Sequence, residues 1–422
     1  MQKKDWLLFS LLLILLFALE TFVVQRFLTS QVPGANDFYS RWHGARAFLL
    51  EDRNPYALDV TEEIQPIIGI DPSEVGRGGF NYPLHVIFFF WPLAYLSYDW
   101  AQAVWWTVVL WLAIASTIVL FQWLDVKPKP TQLLTFLLVA LTFYPITRSV
   151  FLGQFTLHIL FFLALALLLL KTNRPVLTAV ALPSANPTSS STAGATTTNN
   201  NRDFWAGVAL SAASIKPQML ILVVPFLLLW ALTQKRWRFV YGLLIGGGVF
   251  LVASLALMPT WPLEFLADTR RYRQFSGGYT PLQLLLGDLW QIPAALLVLI
   301  MLYFWWKSRA SDSAFKSALY WTIVVQTLVT FQTGTTNQVL LWILLLDYLA
   351  SIRTSRGARL SLALTTLVWF AAWTLFVRTL GEHEHPIMFL PISFLTLILL
   401  AIQTFREGIA SSGSTPSLQQ QS

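Results

Sequence analysis

Apolar residues fall in long blocks along most of this chain, separated by short polar or basic turns. Residues 7–28 and 104–124 are nearly uninterrupted. At 1.5 Å per helical residue, blocks of roughly 20 residues match the hydrocarbon thickness of a bilayer. They are too long for barrel strands, and backbone inside a bilayer must satisfy its own hydrogen bonds, so the pattern predicts helices. Further blocks lie near 131–147, 155–171, 204–216, 218–233, 239–258, 291–306, 315–331, 338–352, 360–377 and 389–405. With the first block read as a retained helix rather than a cleaved signal, about twelve crossings are expected. The expected class is an all-α polytopic membrane protein whose transmembrane domain covers 1–406.

The polar stretches divide into two kinds. Residues 29–100 form the longest one with real sequence complexity, and are expected to be a large first external loop. Within it, 37–50 has helical period, with Phe38, Trp42, Ala45 and Leu49 on one stripe, which suits a helix lying along the membrane surface. Residues 83–97 are apolar but short and carry Pro83 and Pro92, so they are expected to lie in the outer leaflet without crossing. That choice puts Lys127/Lys129, Lys171/Arg174, Lys235/Arg236/Arg238, Lys307/Arg309 and Arg353/Arg356/Arg359 all inside, as the positive-inside rule requires. Residues 183–201 and 407–422 are low in complexity and are expected to be a disordered cytoplasmic loop and tail.

Composition and charge narrow the class further. Hydrophobic residues make up 55% of the 422 residues and charged ones only 12%, too little polar surface for a soluble chain of this size. The net charge of +7 sits mostly in the short basic turns, so it argues for orientation in a cell membrane rather than for nucleic-acid binding. The chain has no cysteine, which excludes disulfides and thiolate metal sites. Walker, GxSxG and dinucleotide fingerprints are missing.

With this orientation the chemically capable residues collect outside. Asp37 and Tyr39 open the first loop, which continues through Asn54-Pro55-Tyr56 to Asn81-Tyr82-Pro83 and His85. Arg148 and Gln154 sit at the next outer turn, Lys216-Pro217-Gln218 at the third, and Arg270, Arg271 and Arg273 at a fourth; Asn337 belongs to a later one. Ionisable groups at the edge of hydrocarbon are costly and usually face a partner or a water-filled cavity. A single cation there can simply snorkel to the interface. Several on one side point to an anionic ligand, because arginine grips phosphate by its fork and lysine as a point charge. Asp37 fits either the N-cap of its helix or a general base that takes a proton from a sugar hydroxyl. The Glu382-His383-Glu384-His385 run only superficially resembles a metal-ligand spacing.

The motifs Asp37-Phe38-Tyr39, Asn54-Pro55-Tyr56, Asn81-Tyr82-Pro83-Leu84, Gly153-Gln154 and Lys216-Pro217-Gln218, with the basic loop before Arg238, occur in one order over roughly 30–240. In that order the chain resembles glycosyltransferase family 87, polyprenyl-phosphate-mannose-dependent mannosyltransferases of the GT-C superfamily. The resemblance implies a GT-C fold with membrane-parallel helices in the first external loop, and Asp37 as catalytic base. It implies inverting transfer of a hexose from a polyprenyl-phosphate donor to a glycolipid or glycan acceptor at the outer face. Lys216, Arg148, Arg270, Arg271 and Arg273 are then the expected donor-phosphate ligands, and Tyr39, Tyr82, His85, Gln154, Gln218 and Asn337 the expected substrate contacts. No metal and no cofactor beyond the lipid-linked cosubstrate is expected; the partners are donor, acceptor and membrane lipids. A glucosyl or arabinosyl donor, an anionic-lipid transporter and a purely structural membrane partner are the competing readings.

Overall fold

The computed structural model describes residues 3–32, 34–171, 192–275, 279–331, 334–352, 356–379 and 384–412. The regular elements among these residues are helices, short 3₁₀ segments and a π-helical turn, Gln25–Thr29, with no strand among them. The chain divides into two compact units.

The first unit comprises 1–220 and 235–277. Its helices are α1 (Lys3–Val24), α2 (Asn36–Glu51), α3 (Leu58–Ile68), α4 (Tyr98–Trp123), α5 (Pro130–Thr142), α6 (Tyr144–Leu152), α7 (Thr156–Leu170), α8 (Thr192–Ala212), α10 (Trp237–Leu257) and α11 (Trp261–Phe275). The second unit comprises 221–234 and 278–422. It contains α9 (Val223–Thr233), α12 (Pro281–Leu286), α13 (Gln291–Lys307), α14 (Asp312–Val329), α15 (Trp342–Ser351), α16 (Arg356–Arg378) and α17 (Leu390–Ser412).

Five helices among the described residues are long and apolar enough to span a bilayer: Lys4–Thr29, Tyr98–Trp123, Trp237–Leu257, Pro281–Lys307 and Pro386–Arg406. The pair α5 and α6, bent by 64°, makes a sixth if it is one broken span. In the first of them only 6% of the apolar window is buried in the protein. Leu7, Leu8 and Ile14 face outward, an apolar surface that needs lipid rather than water. The chain is therefore a polytopic membrane protein.

The count is smaller than the twelve or so blocks suggest, and the reasons are local. Pro145 has no N–H to continue α5, so the 131–147 block breaks at Phe143. The 218–233 block opens as a 3₁₀ turn, Pro217–Leu220, and leaves an α9 of 11 residues, roughly 16 Å against a ~30 Å core. The 338–352 block splits into a 3₁₀ segment, Thr335–Leu341, and the ten-residue α15, whose first six residues are buried. Apolarity here serves the protein interior, and periodicity alone does not separate that from lipid contact. Residues 83–97 fold as two 3₁₀ segments, Leu84–Phe89 and Trp91–Tyr95, which are too short to cross.

Two expected disordered segments are helical in part. α8 begins at Thr192, inside the 183–201 stretch, and α17 runs to Ser412, inside the 407–422 tail. Both extend apolar helical stretches, 204–212 in α8 and 390–402 in α17, and propagation adds a hydrogen bond per residue once a nucleus exists. Residues 183–191 and 413–422 lie outside the described residues.

In the first unit, α7 packs between α4 and α8, and α8 packs against α10. The last pair touches backbone to backbone: a Cβ on Gly242 would lie 2.0 Å from the Phe204 carbonyl oxygen. The first loop folds as α2 and α3 packed together around Ala47, Val60 and Ile64. α2 is pinned to the second 3₁₀ segment by Trp42 Nε1, 2.9 Å from the Leu93 carbonyl, and by Arg46 Nη1, 3.0 Å from that of Ala94.

In the second unit, Asp347 is buried and accepts hydrogen bonds from Tyr320 Oη at 2.8 Å and Lys316 Nζ at 2.9 Å, tying α14 to α15. Gln338 Nε2 donates to the Phe389 carbonyl and to Ser393 Oγ, both at 2.9 Å. Glu384 accepts from the Thr335 amide at 2.8 Å and from its hydroxyl at 2.5 Å, and His385 Nδ1 receives the Ile387 amide at 3.3 Å. These two members of the 382–385 run serve as caps; Glu382 and His383 lie outside the described residues.

Candidate functional site

The first-loop motifs act as a frame. Asn54 Oδ1 accepts from the Tyr56 amide at 2.9 Å, the hydrogen bond of an Asx turn, and this sets Tyr56 inward. The fully buried Tyr56 donates its hydroxyl to the Tyr82 carbonyl at 2.7 Å. Asn81, in the left-handed region at φ 51°, donates its amide to Asp268 Oδ2 at 2.9 Å. Asp268 is fully buried on α11, and burial raises its pKa against the pull of the Asn81 amide and Arg271. Arg271, one turn on, donates to the Tyr56 carbonyl at 2.8 Å and to Asp268 Oδ1 at 3.3 Å. Arg271 is thus a brace of the loop rather than a free phosphate ligand.

Tyr82 leaves this frame pointing into a polar cluster at the first turn of α2. Asp37 does not cap that helix. The cap position is Ala35, in the left-handed conformation at φ 53°, and Asp37 is the second helical residue. Its carboxylate instead accepts from Gln154 Nε2, with Oδ2 at 2.5 Å. Gln154 Oε1 in turn receives the Tyr82 hydroxyl at 3.2 Å and the Lys216 ammonium at 3.5 Å. Arg41 lies one turn along α2. Its Nη1 donates to the Asp37 carbonyl at 2.7 Å and stands 3.6 Å from Asp37 Oδ1. Its guanidinium lies over the Tyr82 ring, 4.5 Å from the centroid. Arg41 Nε is buried with no hydrogen-bond partner.

Lys216 arrives from the break between two 3₁₀ turns, Ala213–Ile215 and Pro217–Leu220, outside the candidate spanning helices. It is only 7% exposed. Burial lowers its pKa to about 8, although the nearby Asp37 pulls the other way. Tyr272 on α11 completes the cluster electrostatically. Its pKa is raised, first by burial and then by the charge of Asp37.

Gly153 makes the approach possible. It ends α6 in the left-handed region at φ 65°, and a Cβ there would sit 2.6 Å from that of Phe38 and 3.1 Å from that of Ala35. Its carbonyl is held by Trp105 Nε1 at 2.8 Å. Gly153→Ala should therefore push the start of α2 away from Gln154, at a cost of about 1–3 kcal/mol. The expected readout is a lowered unfolding temperature in detergent together with lost function, whereas unchanged stability would mean the close packing is not needed.

The expected site residues thus separate. Asp37, Tyr82, Gln154 and Lys216 come together. His85 is buried beside Phe250, 3.3 Å from Ser214 Oγ, and burial lowers its pKa to about 4, so it is neutral. Tyr39 packs edge-on against Tyr98 at 4.7 Å. Arg148 is half-buried on α6, while Gln218, Arg270 and Arg273 are exposed. Asn337 belongs to the second unit. Sequence reasoning missed Arg41 and Tyr272 as site residues. The signal for Arg41 was its spacing of four from Asp37, which puts both on one face of α2.

Fold and site together define a polytopic membrane protein with a carboxylate–cation centre framed by its first loop. Residues 80–183 match the model of glycosyltransferase family 87, so this part of the chain is similar to that family. The matched segment holds the Asn81-Tyr82-Pro83-Leu84 and Gly153-Gln154 motifs; Asp37 and Lys216 lie beyond its ends. No curated protein and no solved structure matches the chain. The family supports a glycosyltransferase.

Proposed function

We propose that the chain transfers a hexose, with mannose the first donor to test, from a polyprenyl-phosphate to an acceptor hydroxyl at the outer face of a cell membrane, with inversion. The observation that carries this reading is a half-exposed carboxylate, Asp37, set beside the buried cations Lys216 and Arg41. Asp37 takes the acceptor hydroxyl's proton. The acceptor oxygen bonds to the anomeric carbon, and the bond from that carbon to the phosphate oxygen breaks with its electron pair staying on the phosphate. Lys216 and Arg41 stabilise that growing charge, Arg41 through its unpartnered Nε. One base and no covalent intermediate give inversion. Arg270 and Arg273, exposed on α11, suit the approach of an anionic donor. The donor is a cosubstrate, and this chemistry calls for no further cofactor.

The charge distribution in the first unit supports an outward-facing site. Gln154 precedes α7 and Lys216 follows α8; around the other end of α7 lie Lys171, Arg202, Asp203 and Arg236, with Arg202 donating to the Leu168 carbonyl at 3.0 Å. Arg236 pairs with Asp203 and donates to the Leu170 carbonyl at 2.7 Å. The 15 residues of α7 separate the two sets by roughly 22 Å. Placing the basic end inside puts Asp37 outside. Lipid entry is supported by an apolar cavity of about 250 Å³ lined by Leu28, Val32, Trp106 and Phe151, which reaches Ala35 and Gly153 beside the site.

The test is to incubate the purified protein with mannosyl, glucosyl and arabinosyl polyprenyl-phosphates plus glycan acceptors. Release of polyprenyl phosphate with a transferred sugar is expected, most with the mannosyl donor. No release from any donor would overturn the reading.

A further inference from the structure

We infer that Gln154 is a positioning residue, not a sugar contact: it fixes which oxygen of Asp37 acts as the base. This rests on the reading of Asp37 as that base. An amide side chain has one accepting end and one donating end, and here its surroundings decide which is which. Oε1 faces the Tyr82 hydroxyl at 3.2 Å and the Lys216 ammonium at 3.5 Å. An ammonium can only donate. Reversing the amide would set two N–H donors against each other and an oxygen against the Asp37 carboxylate. Nε2 must therefore face Asp37, as it does, 2.5 Å from Oδ2.

The backbone holds this arrangement still. The Gln154 amide donates to the Ser149 carbonyl at 2.9 Å, and the preceding Gly153 carbonyl is fixed by Trp105. Gln154 is 8% exposed, so little of it is open to a ligand, whereas the Asp37 side chain is 34% exposed. With Oδ2 occupied by a short hydrogen bond, Oδ1 is the oxygen with lone pairs to spare. Its nearest cation, Arg41 Nη1, is 3.6 Å away and already bonded to the Asp37 carbonyl. Oδ1 is thus the oxygen that meets the acceptor hydroxyl. A base must be held within hydrogen-bond reach of the proton it takes, so loosening the carboxylate should cost turnover more than binding.

Two variants test this. Gln154→Leu should lower kcat by about 10–100-fold and leave the KM for donor and acceptor within about threefold. Gln154→Glu keeps the size but sets a second carboxyl against Asp37. The pair must share a proton, so the acid limb of the rate–pH profile should move up by at least about one unit. A raised KM with kcat intact in Gln154→Leu would make Gln154 a substrate contact and overturn the inference. So would parental kinetics in Gln154→Leu or an unmoved acid limb in Gln154→Glu. Thermal unfolding in detergent checks that each variant is folded, and the Glu variant carries the test if the Leu variant is not. Parental turnover in Asp37→Asn marks failure of the underlying assignment instead.

Discussion

Asp37→Asn should abolish sugar transfer, with a loss of about 10²–10⁴ in kcat and little loss of folded protein. The two expectations come from different atoms. An asparagine still offers an oxygen to Gln154 Nε2, so the contact at 2.5 Å between the first loop and the α6–α7 turn can persist. The backbone carbonyl of residue 37 still receives Arg41. What disappears is the capacity to hold the acceptor's proton, since an amide is not a base at neutral pH. The helix does not depend on the carboxylate either, because its cap position is Ala35 and the residue-37 side chain makes no capping bond. The measurements are polyprenyl phosphate release with the best donor and the unfolding temperature in detergent. Parental turnover in the folded variant would remove Asp37 from the mechanism. A variant that fails to fold would show that the carboxylate is a structural partner of Gln154 and Arg41 first.

Much of the fold was legible in the sequence where a single local rule decides. Helix α2, expected over 37–50, runs Asn36–Glu51, with Phe38, Trp42 and Ala45 of its apolar stripe buried. The break at Lys216-Pro217 is visible because proline ends a helical pattern. The site was legible as a set of motifs, not as an arrangement. That Tyr56 supports Tyr82, and that Asp268 receives the amide of Asn81 from 187 residues away, depends on loops folding back over distances that no periodicity records. The arginines of α11 show the limit well. Sequence gives three cations at 270, 271 and 273, yet helical rotation sends Arg271 inward with Asp268 and Tyr272 and leaves Arg270 and Arg273 exposed. The apolar blocks hid a similar ambiguity. α15 is as apolar as a membrane span, but it is ten residues long and packed into the second unit.

Lys216→Met should lower kcat/KM for the lipid-phosphate donor by about 10²–10³, and Lys216→Arg should recover part of it. Lys216 is buried, and among the described residues its ammonium donates to Gln154 Oε1 at a long 3.5 Å. A buried ammonium so weakly satisfied is expensive unless an anion meets it. Its acid–base behaviour provides a sharper test than the loss itself. Burial lowers the pKa to about 8, so the cation proposed to meet the donor phosphate is lost as pH rises through that value. The kcat/KM profile, which reports the free enzyme, should fall above about pH 8. In Lys216→Arg that alkaline limb should vanish, because a guanidinium keeps its proton throughout the range. Stability should move the other way. The folded pKa lies below the unfolded value of about 10.4, so between about 8 and 10.4 the unfolded chain holds more protons at this site than the folded one. This group's contribution to stability is therefore lost as pH falls through about 8 and regained as pH rises toward 10.4. Activity and this share of stability should thus run in opposite directions over one pH window. Parallel pH profiles for Lys216→Arg and the parent would show that Lys216 does not carry the donor's charge.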